Sequence, residues 1–397
     1  MESLLFLAHR IPFPPNKGDK VRSFHILRHL AARFHVHLGA LMDDPADAVH
    51  VPRLADYTAS SCVVPMRPRL QRLRSMPGLL TGEPLSLRYF RQARLLRWIR
   101  GLQRREPLRR VLVFSSAMAA YVMGPEWQGA RRVADLVDVD SAKFSAYGAS
   151  SAGAIAWIHA REGRRLLDFE RKVAATFDHT LFVSEPEAAL FRRLAPESVA
   201  RVSCMENGVD TDYFDPQAIA RNDWPARRAE VVFTGAMDYA PNEDAVIWFC
   251  ESIWPLVRAQ RPDTSLAIVG ARPRPRVRAL ANLPGVIVTG TVADVRPWLA
   301  QAQVSIAPLR IARGVQNKIL EALAMGLPVV GTPAAFEGIR VTRDTPHAIE
   351  SEPAAFAIAV LERINGAVVL PSMDARAFVL REYDWTQKLS LLDELFA

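Results

Sequence analysis

Strand-length apolar runs alternate with stretches of helical periodicity along the chain, the pattern of parallel sheets with crossover helices. The first half offers seven such runs: LLFLAH, VHLGALM, CVVPM, VLVFSS, RVADLVDV, HTLFVS and VARVSCM. Helical stretches separate them at 19–33, 86–105, 152–176 and 185–194. The second half offers five, EVVFTGA, SLAIVGA, GVIVTG, VSIAPL and LPVVGT, with helices near 243–260, 274–281, 294–302 and 315–325. Between the halves, DTDYFDPQAIARNDWPARR is rich in Asp, Pro and Arg and lacks apolar periodicity. The pattern predicts an α/β protein of two doubly wound domains, 1–212 and 229–375, joined by a linker at 213–228. Such sheets bind ligands at the carboxyl ends of their strands, so two domains facing one another would enclose a cleft. The final stretch, FVLREYDWTQKLSLLDELFA, predicts an amphipathic helix within 376–397, placed to cross back to the first domain.

Length and composition agree with two domains, since 397 residues that are half hydrophobic can bury large cores. No apolar run reaches the roughly eighteen residues that a membrane-spanning helix needs. The N-terminal MESLLFLAHRIPFPP has neither a basic leader nor a small-residue cleavage site, which predicts a cytoplasmic protein. Three scattered cysteines in apolar contexts, Cys62, Cys204 and Cys250, fit buried thiols in a reducing compartment.

The net charge of +8 is nearly all arginine, because only residues 17, 20, 143, 172, 318 and 388 are lysine. It concentrates between Arg67 and Arg110, opposed only by Glu83 and Glu106. Interleaved Leu70, Leu73, Tyr89, Phe90, Leu96, Trp98 and Ile99 suit that stretch to an anionic lipid surface; the alternative is a solvated arginine-rich face.

The densest chemistry lies in RGVQNKILEALAMGLPVVGT, residues 313–332. A buried strand ends at the turn IARG, and a helix follows whose stripe of Val315, Ile319, Leu320 and Leu323 faces the core. Asn317, Lys318 and Glu321 share another face. Gly314 would let the backbone approach a ligand, and the helix N-terminus offers free amides to an anion. Lysine near a helix start opposes the helix dipole, so a bound anion would offset it. Diphosphate at the amides and a ribose diol on Glu321 together describe a nucleotide site.

On these residues the chain resembles glycosyltransferase family 4, retaining enzymes of the GT-B fold with two Rossmann-like domains. GVQNKILEALAMGLPVV is similar to that family's signature, in which Glu321 takes the position of the ribose-binding glutamate. FTGAMDYAPNEDAVIWF, GTVADVRPWLAQAQVSIAP, ENGVDTDYFDP and RIPFPPNKGDKVRSFHILRHLAARFHVHL resemble further family segments, covering nearly the whole chain. PPNKGDKVRSFHILRHLA, LVDVDSAKF and IARGVQNKILEALAMG look like sugar transferases of PEP-CTERM/exosortase polysaccharide systems.

The resemblance implies transfer of a sugar from a nucleotide diphosphate sugar to a hydroxyl of a glycan or lipid-linked glycan, with retention. It implies exopolysaccharide biosynthesis at the inner face of the plasma membrane, with no cofactor, no metal and no nucleic-acid partner. Donor-binding candidates are Gly18, Gly235, Asn242, Thr291, Val292, Gly314, Val315, Lys318 and Glu321. Lys318, Glu321, Arg313 and Asp138 are the catalytic candidates, and Lys17, Lys20, Arg22 and Asp140 lie on the acceptor side.

Two departures matter. Arg313 stands where many members carry a sugar-contacting glutamate, so it pairs with diphosphate or an acidic sugar, or the sugar is held differently. Ala236 and Asn242 stand where many members carry an Arg and a Lys aimed at the diphosphate. Lys318 and Arg313 would supply the missing charge. Asp138-Val-Asp140 spells D-x-D, and its carboxylates either position acceptor or donor or cap the following turn. Ser184 and Glu187 predict a capping box. His25 and His29 are four apart on a helix and read as part of a polar face. The rival readings are a nucleotide-sugar 2-epimerase of the same architecture and a non-enzymatic basic membrane- or nucleic-acid-binding protein.

Overall fold

The computed structural model describes residues 1–15, 18–312, 315–342, 345–366 and 371–397. Lys17, Arg313 and Gly314 lie outside them. The chain divides into two compact units, Met1–Glu206 with Lys388–Ala397, and Asn207–Gln387.

In the first unit, β1 (Ser3–Ala8), β2 (His35–Met42), β3 (Ser60–Pro65), β4 (Arg110–Phe114), β5 (Arg131–Val137), β6 (His179–Phe182) and β7 (Val202–Cys204) form one parallel sheet. Its order is β3-β2-β1-β4-β5-β6-β7. In the second unit, β8 (Val231–Thr234), β9 (Leu266–Val269), β10 (Val286–Gly290), β11 (Val304–Ala307), β12 (Val329–Gly331) and β13 (His347–Ile349) pair in parallel in the order β10-β9-β8-β11-β12-β13. Helices cover both faces of such sheets, which is why the central strands read as unbroken apolar runs rather than alternating ones. Strand order reverses between β1 and β4 and again between β8 and β11, the two places where open α/β sheets bind ligands.

All twelve predicted strands are present; β13 and the helix Pro353–Asn365 add to them. Three long predicted helices are broken, each for a local reason. The 86–105 stretch becomes Leu85–Phe90 and Ala93–Arg105. At the break, the Tyr121 hydroxyl accepts from the Gln92 amide at 2.6 Å and donates to the Phe90 carbonyl at 2.8 Å. Pro255, which has no N–H, follows a π-helical turn at Phe249–Ile253 inside the 243–260 stretch. The last stretch is two helices, Met373–Glu382 and Trp385–Phe396. Between them the Tyr383 hydroxyl accepts from the Arg340 amide, and Asp384 caps the next turn through the Thr386 amide.

The C-terminal ten residues complete the first unit. Leu389, Leu392 and Phe396 are buried. His29 Nε2 lies 2.8 Å from Asp393 Oδ1, and the Lys388 ammonium donates to Glu206 at 2.6 Å. His25 and His29 are therefore buried, not part of an exposed polar face. Cys62 and Cys250 are buried and Cys204 half-buried, all three as free thiols.

Candidate functional site

In the second unit the chemistry gathers where strand order reverses. β8 runs out at Gly235; a Cβ there would stand 2.7 Å from Asn242 Nδ2 and 3.2 Å from Lys318 Nζ, so a side chain would push both polar groups from where they meet. Asn242 sits in the first turn of the helix Ala240–Trp248, with Nδ2 donating to the Ala236 carbonyl at 2.9 Å. That bond orients Oδ1, which accepts from Lys318 Nζ at 2.5 Å. Lys318 comes from another element, the first turn of the helix Asn317–Ala324 that follows β11, and its ammonium lies 4.3 Å from the centre of the Phe233 ring. Residues 236, 242 and 318 thus meet at one point, although they belong to two different strand-to-helix turns.

The electrostatics are those of two opposite charges packed where burial disfavours both. Burial pushes Lys318 down to about 7, a drop only partly offset by the charge of Glu321. Burial pushes Glu321 up to about 7, against the pull of Lys318. Both side chains keep some solvent contact, but the packing around them is dense enough to disfavour either charge. The Glu321 carboxylate accepts no hydrogen bond from the described residues, and Asn317 Oδ1 is buried without a partner among them. Val315 packs against the core, Val292 does so from the loop after β10, and neighbouring Thr291 is exposed.

The first unit has a second cluster at its own reversal. His9 follows β1, its ring stacked on Phe114 at 5.6 Å and its Nε2 3.5 Å from Asp19. Asp19, in the first turn of the helix Gly18–Ala31, also pairs with Arg10. Despite partial burial, these partners hold its carboxyl well below the usual range. Gly18 opens that helix, with nothing within 4 Å of where its Cβ would be. Ser115 after β4 and Val137 at the end of β5 both take left-handed backbone angles, φ 85° and 70°. For residues with a side chain that conformation is strained, and such strain gathers at functional sites. Ser116 donates to Asp140 at 3.3 Å, and burial raises Asp140.

Several acceptor-side expectations are corrected here. Lys20 donates to Asp47 at 2.6 Å and Arg22 to Asp135 at 2.8 Å, with all four side chains buried. These are internal ion pairs that tie the first helix to the Pro45–Asp56 segment and to β5, and neither cation faces outward around Gly18. Asp138 pairs with Lys143, and Asp140 opens a helix, Asp140–Ser150, which sequence reading took for a turn. Among the described residues no group of three His, Cys, Asp or Glu side chains could hold a metal. Ser184 caps the Glu187 amide, but the Glu187 carboxylate reaches Val139 N at 2.7 Å instead of closing a capping box. Sequence reading also passed over His9, Ser116 and the buried Glu170. Of these, His9 alone carried a signal, a polar residue directly after an apolar strand.

The basic stretch is corrected as well. Ile99 is buried, and Tyr89, Phe90, Leu96 and Trp98 pack on the core. Leu70 and Leu73, on the helix Pro68–Ser75, are exposed. No described helix is long and apolar enough to cross a membrane.

Residues 228–365 match the family model for glycosyl transferases group 1. The match lies within the second unit and includes Gly235, Asn242, Lys318 and Glu321, and the protein is a glycosyltransferase. Sucrose-phosphate synthase from Thermosynechococcus elongatus has a similar structure, with a TM-score of 0.66 at 16% identity over 100% of this chain and 98% of that one. HepE of Anabaena in complex with UDP gives 0.65 at 14%, over 100% and 99%. WaaG, described as a glycosyltransferase involved in lipopolysaccharide biosynthesis, gives 0.60 at 16%, over 99% of both chains. At these identities the likeness is one of fold, the two Rossmann-like domains of GT-B enzymes. No curated protein matches the sequence.

Proposed function

We propose that this glycosyltransferase is a retaining, family 4-type enzyme. It moves a sugar from a nucleotide diphosphate sugar to a hydroxyl of a glycan or lipid-linked glycan, in exopolysaccharide synthesis of the PEP-CTERM/exosortase kind at the inner membrane face. The observation that carries the reading is the desolvated Lys318 ammonium on Asn242 and Phe233, one helical turn from a Glu321 carboxylate without a hydrogen-bond donor. A diphosphate answers the first need and a ribose diol the second.

In the proposed reaction the bond from the anomeric carbon to the diphosphate oxygen breaks as the acceptor oxygen bonds to the same face. The departing oxygen takes the acceptor's proton. The protein then has to position the partners and stabilise the negative charge growing on the diphosphate. Lys318 does the second, with Arg313 and the amides of Gly314 and Val315. Glu321 holds the ribose, and backbone at Thr291 and Val292 frames the base. Asp138 and Asp140, with His9 nearby, address the acceptor. HepE is described in complexes with UDP and with UDP-glucose, so UDP-sugars are the first donors to try.

A thermal-shift screen of nucleotide diphosphate sugars, repeated on Glu321→Ala, tests the reading. A donor should stabilise the parent and not the variant. Equal stabilisation of both, or none of the parent by any donor, would refute it.

A further inference from the structure

The first unit holds a cavity of about 530 Å³ away from either strand reversal, lined by Leu79, Trp157, Arg161, Arg164, Arg165, Leu167 and Asp168. Three guanidiniums face one carboxylate there, and that carboxylate is 3.9 Å from Arg165. Arg161 is buried, and its Nη2 donates to the Gly78 carbonyl at 2.5 Å. Its Nη1 is covered yet has no hydrogen-bond partner among the described residues; its nearest countercharge is Glu162 at 3.9 Å. Glu162 in turn is occupied by the amides of Leu85 and Ser86 at 2.8 Å. A covered guanidinium with an unsatisfied N–H, beside two more arginines, favours an anion with several acceptor oxygens.

Beside the cavity the chain is apolar where it should not be. Trp157, in its lining, is 56% exposed, and Leu80, next in the chain to Leu79, is 93% exposed. Monomeric proteins rarely keep such side chains together on a surface without use. Arg67, Arg69, Arg72 and Arg74 surround Leu70 and Leu73 on the exposed helix.

We infer that this cavity seats the phosphate of an anionic phospholipid headgroup, with Arg161, Arg164 and Arg165 on the phosphate oxygens and Leu80 and Trp157 in the acyl region. Charge complementarity selects the phosphate, and the exposed Leu80 and Trp157 at its edge select a lipid over a free ion. The inference deepens the proposed location at a membrane and rests on that part of the reading, not on the donor site.

The test is co-sedimentation with vesicles of phosphatidylglycerol in phosphatidylcholine, run on the full chain, with UDP binding measured in parallel. Arg164 and Arg165 are exposed, so their replacement leaves the Arg161–Gly78 bond intact. Losing two surface arginines should weaken vesicle binding about thirty-fold, and added salt should weaken the parent. Trp157→Ser with Leu80→Ser should also weaken vesicle binding by tenfold or more, an effect on which a free-phosphate site would not depend. All variants should keep parental UDP affinity, so a failure here leaves the donor reading standing and the reverse holds too. Unchanged vesicle binding in Arg164→Ala/Arg165→Ala would overturn the inference. So would full competition by inorganic phosphate together with no effect of the apolar pair.

Discussion

Replacing Lys318 by alanine separates a ligand-binding lysine from a structural one, because the two roles predict opposite signs. The ammonium sits against a neutral amide oxygen and a ring face, and burial has pushed it down to about 7. Keeping it charged costs the unliganded protein free energy, so Lys318→Ala should leave the unliganded Tm unchanged or higher. Donor binding should suffer instead. A hydrogen bond to a charged group contributes about 1.5–3 kcal/mol, or roughly 10- to 150-fold in affinity. At about 100 Kd of donor, binding stabilises by about 2.7 kcal/mol, roughly 5–10 °C for a unit of this size. Thirty-fold weaker binding would leave about 0.9 kcal/mol, roughly 2–3 °C. Differential scanning fluorimetry with and without the donor reads both quantities. A variant that keeps the full donor-induced shift would refute the assignment, as would one that melts far earlier without ligand yet binds donor normally.

The remaining expectations concern protons. Lys318 and Glu321 are brought together near 7 from opposite directions. Diphosphate needs the ammonium and the diol needs the carboxylate. Donor affinity should therefore peak near neutrality, falling on the acid side as Glu321 gains its proton and on the alkaline side as Lys318 loses its own. Lys318→Arg should flatten the alkaline limb and Glu321→Gln the acid limb, as read by calorimetric titration between about pH 5.5 and 9; a flat parental profile would contradict this. In the first unit, burial pushes Glu170 up to about 8 against hydrogen bonds from Ser141 at 2.5 and 3.2 Å. Its folded-state value is raised, so the folded protein holds a proton that the unfolded chain releases. Stability should fall as pH rises from about 4.5 to about 8. Thermal melts of Glu170→Gln over that window should show a shallower fall, and identical slopes would exclude Glu170 as the cause.

The sheets were legible because central parallel strands are buried on both faces, and continuous apolar runs such as VLVFSS and EVVFTGA have few other uses. Helix ends were less legible wherever tertiary partners set them. Nothing near Arg91 or Gln92 marks the break that the distant Tyr121 hydroxyl holds open. The helix Asp140–Ser150 has many small residues and no apolar stripe; it packs on Gly153–Thr176, where a Cβ on Gly163 would lie 2.4 Å from Ser145 Oγ. Charge was the hardest to read, since a cation in sequence carries no label for its partner. Lys20 and Arg22 look like ligands of an anion near Gly18, yet Asp47 and Asp135, 27 and 113 residues away, claim them. Lys318 is the converse case. Position by position, Asn242 looks like a lost lysine. In space the Lys318 ammonium is within 2.5 Å of the Asn242 side chain, delivered by a helix 76 residues later. Asparagine is then the residue that lets the replacement work: a lysine at 242 would set two ammonium groups against each other in a site that already disfavours one. Substituting Asn242→Lys alone should thus weaken the site, and only Asn242→Lys combined with Lys318→Ala should restore donor binding, a reciprocity that independent roles for the two residues would not produce.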